Sequence, residues 1–85
     1  MGNYGITIAR SVGKEINALQ DRIKDRVVKA IDSLRNEPRP KRTVKLKGRE
    51  SLYRIRVGHY RIICSIDDDN LIVDIAYVRH RSKAY

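Results

Sequence analysis

The chain has 85 residues, 41% of them hydrophobic, and 19 Lys or Arg against 10 Asp or Glu give it a net charge of +9. That length supports one domain with one core, burying roughly 60% of the unfolded chain's surface, and the apolar content is too high for a disordered tail. The single cysteine, Cys64, excludes an intrachain disulfide or a multi-cysteine zinc site, and no apolar run approaches the ~18 residues of a membrane span.

Met1-Gly2-Asn3 does not have the form of a signal peptide, so the expected location is the cytoplasm. Charge is unevenly distributed. Residues 1–38 hold seven Lys/Arg and five Asp/Glu, a net +2, whereas residues 39–85 hold twelve and five, a net +7. Such asymmetry steers polyanions toward one part of a molecule. Nucleic acid, an acidic protein partner and plain solubility are all compatible with it.

Tyr4-Gly5-Ile6-Thr7-Ile8 alternates and reads as a first strand. Ser11 is a suitable N-cap for the next segment, where Val12, Ile16, Leu19, Ile23, Val27, Ala30, Ile31 and Leu34 recur at helical spacing. A single helix over this stretch would be ~37 Å long at 1.5 Å per residue, too long for a small sheet to cover. A helical hairpin is favoured, with Asp21 as the cap of its second helix. Pro38 and Pro40 end the helical region.

Lys41 to Gly48 alternates as an amphipathic strand, with Val44 and Leu46 inward and Lys45 and Lys47 outward. Leu52 to Ile63 forms two strands joined by a tight turn at Gly58-His59. Asp67-Asp68-Asp69-Asn70 is a further turn. Leu71 to Val78 is apolar at nearly every position, as in a central strand buried on both faces. The fold class is α+β, in the order β-α-α-β-β-β, with an antiparallel sheet packed on one side by the helices.

The chemistry-bearing residues concentrate in the hairpin and the tail. Arg54 and Arg56 share one strand face while Tyr53, Ile55 and Val57 share the other. Arg61 follows the turn and can approach that pair across strands. Arg79, His80, Arg81, Lys83 and Tyr85 close the chain. Guanidinium groups bind phosphate bidentately and stay charged, and clustered they stabilise the added charge of a phosphorane-like transition state. Tyr85 offers a stacking platform for an unstacked base. His59 and His80 have the intrinsic pKa for proton transfer near neutrality, although both also suit an exposed turn. The arginines could instead pair with Asp74 or with a partner's carboxylates. Lys41, Arg42, Lys45, Lys47 and Arg49 extend the positive surface. Cys64, among Ile62, Ile63 and Ile66, reads as a small buried apolar group. No phosphate-binding glycine loop or metal-spaced histidine pair is present.

The sequence resembles the RelE/ParE toxin superfamily of bacterial and archaeal toxin–antitoxin systems. The resemblance is carried by the helical hairpin ending in Asn36-Glu37-Pro38, by Lys45-Leu46-Lys47-Gly48, by Leu52 to Ile63 and by the tail Arg79-His80-Arg81-Ser82-Lys83-Ala84-Tyr85. It implies one RelE-like toxin domain over residues 1–85, with an antiparallel sheet that is mixed at its first strand. It also implies a ribosome-dependent endoribonuclease that cuts mRNA in the A site, by attack of the 2′-hydroxyl on its own 3′ phosphate, with no metal and no cofactor. Carried over by motif, Arg54, Arg56 and Arg61 line the phosphate site, Arg79 assists the leaving group or transition state, and Tyr85 stacks on the base. Arg81, Lys83, Lys41, Arg42, Lys45, Lys47 and Arg49 would contact RNA.

The implied partners are a small acidic RelB-like antitoxin, the ribosome with its mRNA, and operator DNA bound through the antitoxin. The sequence departs from the family where ribonuclease members have hairpin lysines. Arginine does not usefully lose a proton, so the base would be His80, Tyr85 or none. A ParE-like inhibitor of DNA gyrase, or an inactive antitoxin-binding homologue, would use the same scaffold.

Overall fold

The computed structural model describes residues 3–46 and 52–83. Lys47, Arg49 and Tyr85, read above as site residues, lie outside the described residues. The element order is β1 (Gly5–Ile8), α1 (Arg10–Asn17), α2 (Asp21–Ser33), β2 (Val44–Lys45), β3 (Leu52–Val57), β4 (Tyr60–Asp67), β5 (Ile72–His80) and a 3₁₀ turn at Arg81–Lys83. This is one strand more than the order β-α-α-β-β-β, although each of the five segments read as strands in sequence contributes one; that of Lys41 to Gly48 is Val44–Lys45, paired along the edge of β3. The sheet runs β1-β5-β4-β3-β2, parallel between β1 and β5 and antiparallel elsewhere. The mixed first strand and the helical hairpin agree with the sequence-based expectation.

Neither helix starts where the sequence signals pointed. The cap positions are Ala9 and Gln20, and neither side chain caps its helix. The Ala9 carbonyl accepts from Val12 and Gly13, and the Gln20 carbonyl accepts from Lys24, so backbone turns begin both helices. Ser11 lies inside α1. Asp21 is the first residue of α2, where its carboxylate complements the positive end of the helix dipole rather than closing a cap.

Both helices lie on one face of the sheet. Val12 and Ile16 of α1 and Val27 and Ile31 of α2, with Leu34, meet Ile55, Val57, Ile62, Cys64, Ile66, Val73, Ile75 and Val78. Each fully buried aliphatic contributes roughly 1.5–3 kcal/mol relative to exposure. Burial pushes the Cys64 thiol up to about 11, which keeps it a protonated, apolar filler.

The strand from Leu71 onward is interior but is not buried on both faces. Val73, Ile75 and Val78 are buried while Ile72, Asp74, Ala76 and Arg79 are exposed, because helices cover one side of the sheet only. The phase also changes along β5. Ile63 pairs with Tyr77 and Cys64 with Ile75, leaving Ala76 as the extra residue of a β-bulge. A strict period of two from Val73 and Ile75 would turn Tyr77 and Arg79 toward the helices. The bulge sends them to the open face instead.

At the far edge, β2 has the opposite facing to that expected. Val44 stands opposite Arg54 on the open face and is 41% exposed, whereas Lys45 stands opposite Tyr53. As a two-residue edge strand with both residues exposed, β2 is held by backbone pairing to β3 rather than by a buried apolar face.

Candidate functional site

The hairpin of β3 and β4 turns through Gly58, whose φ of +60° suits a glycine at the first central position of a two-residue turn. This short turn sets the register that aligns the arginines. Arg56 stands directly opposite Arg61, and Arg61 stands directly opposite Arg79. The three form one row across β3, β4 and β5, on the face away from the helices. Strands are ~4.8 Å apart, so the row spans roughly 10 Å. Arg54 adds a fourth cation two residues along β3 from Arg56.

Like charges directly opposite in a sheet are destabilising. On that ground alone the Arg56–Arg61 and Arg61–Arg79 pairings disfavour folding, and an anion bound on the row would offset this. Among the described residues no carboxylate forms an ion pair with Arg54 or Arg56. Arg54 Nε is enclosed and meets no hydrogen-bond acceptor. Asp74, the acidic partner considered from sequence, accepts the hydroxyl of Thr7 and stands opposite Ser65, four residues along β4 from Arg61. Beneath the cations, Ile63 is 1% exposed yet lies outside the core cluster of the helix side. Its cross-strand neighbours are Arg54 and Tyr77. The open face thus has an apolar floor under a positive rim, which lowers the local dielectric and strengthens binding of an anion. A cleft of about 180 Å³, bounded by Arg56, Gly58, His59, Tyr60, Arg61 and Arg81, opens at the turn end. Arg81 is tied there by its backbone N–H, which donates to the His59 carbonyl at 2.8 Å.

Arg54, Arg56, Arg61 and Arg79 are brought together, and Arg81 borders their cleft. His80 is not with them. It stands opposite Tyr60 on the helix side, with the two rings edge to face at 5.2 Å. Its Nδ1 accepts from the Ser82 backbone N–H at 3.1 Å and lies 2.8 Å from Ser82 Oγ. The Ser82 backbone N–H and hydroxyl thus engage Nδ1, and the ring sits with Ser82 and Tyr60 rather than with the arginine row. Lys41, Arg42, Lys45 and Lys83 are exposed, and Lys45, opposite Tyr53, lies on the other face of the sheet from the row.

Two residues outside the site candidates read from sequence join this site: Tyr77, whose place in a strand suggests only packing, and Glu15. Tyr77 lies under Arg79, with the guanidinium carbon 4.3 Å from the ring centroid. Glu15 of α1 places a carboxylate oxygen 3.6 Å from Arg79 Nε. The Tyr77-Val78-Arg79 spacing puts ring and cation on one strand face, a signal visible in sequence. Glu15 had no such signal, because its place depends on how α1 crosses the sheet.

The family model described as the ParE toxin of the type II toxin–antitoxin system parDE matches residues 6–85. The chain belongs to the RelE/ParE toxin family. Over 85 residues it is 27% identical to the RelE1 protein of Methanocaldococcus jannaschii, covering 96% of this chain and 94% of that one. Its fold matches RelE in the crystal structure of the archaeal RelE–RelB complex from Pyrococcus horikoshii at a TM-score of 0.84. That match has 30% identity and covers 96% of this chain and 99% of that one. The Mycobacterium tuberculosis RelBE2 complex gives 0.78 at 29% identity, with 93% and 99% covered. A doubly substituted Escherichia coli RelE in the free state, at 20% identity and a TM-score of 0.80, shares the fold over 96% of this chain and 87% of that one. The RelE/ParE toxin has the α+β fold of these relatives, two helices packed on a five-stranded mixed sheet.

Proposed function

We propose that this toxin is a ribosome-dependent endoribonuclease that cleaves mRNA in the A site. The observation that carries the reading is the single row of Arg56, Arg61 and Arg79 across three strands. In this reaction the substrate's 2′-hydroxyl gives up its proton to solvent as its oxygen bonds to the adjacent phosphorus, and the bond to the 5′-oxygen breaks. The leaving 5′-oxygen takes a proton from solvent, so that a cyclic phosphate and a 5′-hydroxyl result. Arg54, Arg56 and Arg61 hold the non-bridging oxygens as their charge grows, and Arg79 faces the leaving oxygen. Tyr85 stacks on the base, and Lys41, Arg42, Lys45, Lys47, Arg49, Arg81 and Lys83 contact the RNA backbone. The arginines stay protonated and His80 faces the other side, which supports charge stabilisation rather than proton abstraction as the main contribution of the described residues. The reaction is metal-independent, as the family resemblance implies. A small acidic RelB-like antitoxin covers the cationic face and carries the complex to operator DNA in the cytoplasm.

The test is to add the protein to ribosomes programmed with a defined message and a vacant A site, then map the 3′ ends. New ends within the A-site codon, dependent on the ribosome, are expected. Intact message overturns the reading. A second reading, inhibition of DNA gyrase, is favoured by the name of the matching family model alone. Loss of supercoiling in a purified gyrase assay selects it.

A further inference from the structure

Arg79 differs from Arg54 and Arg56 in having a carboxylate beside it, and the reason lies in how the sheet ends. β1 stops at Ile8, opposite Ile75, so the last turn of β5 has no strand neighbour on that side. α1 takes that place. Glu15 Oε1 accepts a hydrogen bond from the Val78 backbone N–H at 3.2 Å, substituting for a missing strand carbonyl. Its other oxygen, Oε2, lies 3.6 Å from Arg79 Nε. The Tyr77 ring supports the same guanidinium at 4.3 Å.

We propose that Glu15 is a positioning residue for Arg79. A guanidinium offers its donors along separate edges. Engagement through Nε leaves the two terminal nitrogens to meet a phosphate end-on. The carboxylate is anchored by a backbone amide, so it does not swing away when substrate binds, and the ring below restricts tilt. Both partners are partly exposed, 45% for Arg79 and 34% for Glu15, so solvent screening leaves the pair little weight in stability. Its effect is on orientation. This inference rests on the nuclease reading for its kinetic consequence but not for its geometry.

The experiment compares wild type, Glu15→Gln, Arg79→Ala and the double variant in the programmed-ribosome assay, and follows the Arg79 Nε–Hε resonance by ¹⁵N NMR. Glutamine still accepts from Val78 N–H and removes only the charge. Turnover is expected to fall roughly 10- to 100-fold, as misplacement of a catalytic group does, with KM unchanged. The substitution is expected to add nothing in the Arg79→Ala background, and the protected Nε–Hε signal of wild type is expected to disappear in Glu15→Gln. Wild-type turnover in Glu15→Gln, or an equal loss with and without Arg79, overturns the proposal. Intact message with wild-type protein removes the nuclease reading instead. In that event the resonance still decides, because an unchanged Nε–Hε signal in Glu15→Gln overturns the positioning role and its loss upholds it.

Discussion

Arg39 and Arg56 are the same residue in opposite circumstances. Arg39, in the segment after α2, donates from both terminal nitrogens to the two oxygens of Asp68, at 3.1 and 2.9 Å. It also donates to the Tyr53 hydroxyl at 3.3 Å and lies over that ring at 4.8 Å. Tyr4 completes the corner by donating its hydroxyl to Asp68 at 2.6 Å. The hydrogen bond from Arg39, and then that from Tyr4, hold the Asp68 carboxyl below the usual carboxylate range. Arg56 instead faces Arg61 and pairs with no described carboxylate. Carboxylates are available on this sheet, but the register places Asp67, Asp68 and Asp74 toward the other end of the strands. One cation links the α2–β2 segment to the β4–β5 turn. The other belongs to the cationic row on the open face of the sheet.

Substitution can break this contrast at either end. The largest effect is expected for Arg61→Ala, which should lower A-site cleavage by roughly 10²–10³-fold, as loss of one transition-state donor does. Arg39→Ala should leave cleavage near wild type in the same assay. Stability should reverse the order. Arg39→Ala is expected to lose about 1 kcal/mol in urea denaturation, through the ion pair and the cation–π contact together. Arg56→Gln is expected to gain about 0.2–1 kcal/mol, because it removes a like-charge pair directly across strands. A loss of stability in Arg56→Gln would show that the row is neutralised within the folded protein.

The smallest effect concerns pH. The Asp68 carboxyl is lowered in the folded state, so its contribution is present above the unfolded value of about 3.9 and is lost as pH falls through the lowered folded value. Asp68→Asn should therefore narrow the stability difference between neutral and strongly acidic solution. Urea titrations of both proteins at the two pH values check this. An equal acid sensitivity would mean that other carboxylates, such as Asp67 held low by Asn70, dominate.

Much of the arginine site was legible because it is local. Gly58-His59 between two alternating runs predicts a hairpin, and a two-residue turn then places Arg56 against Arg61 by register alone. The helical hairpin followed from length, since one long helix would outrun the sheet. The cation at position 39 could not be paired in advance, because Asp68 is 29 residues away and reaches it only through the turn after β4.

The amino-acid order thus determined the elements, the hairpin register and the concentration of positive charge, all of which depend on neighbours within a few residues. Tertiary structure decided which face each cation occupies. The bulge at Ala76 shifted the phase of β5, bringing Arg79 into the row and leaving His80 on the helix side. The early end of β1 let α1 supply Glu15 to the exposed edge of β5. A period of two is a property of one strand, whereas a bulge and a missing neighbour arise only when strands of unequal length are paired.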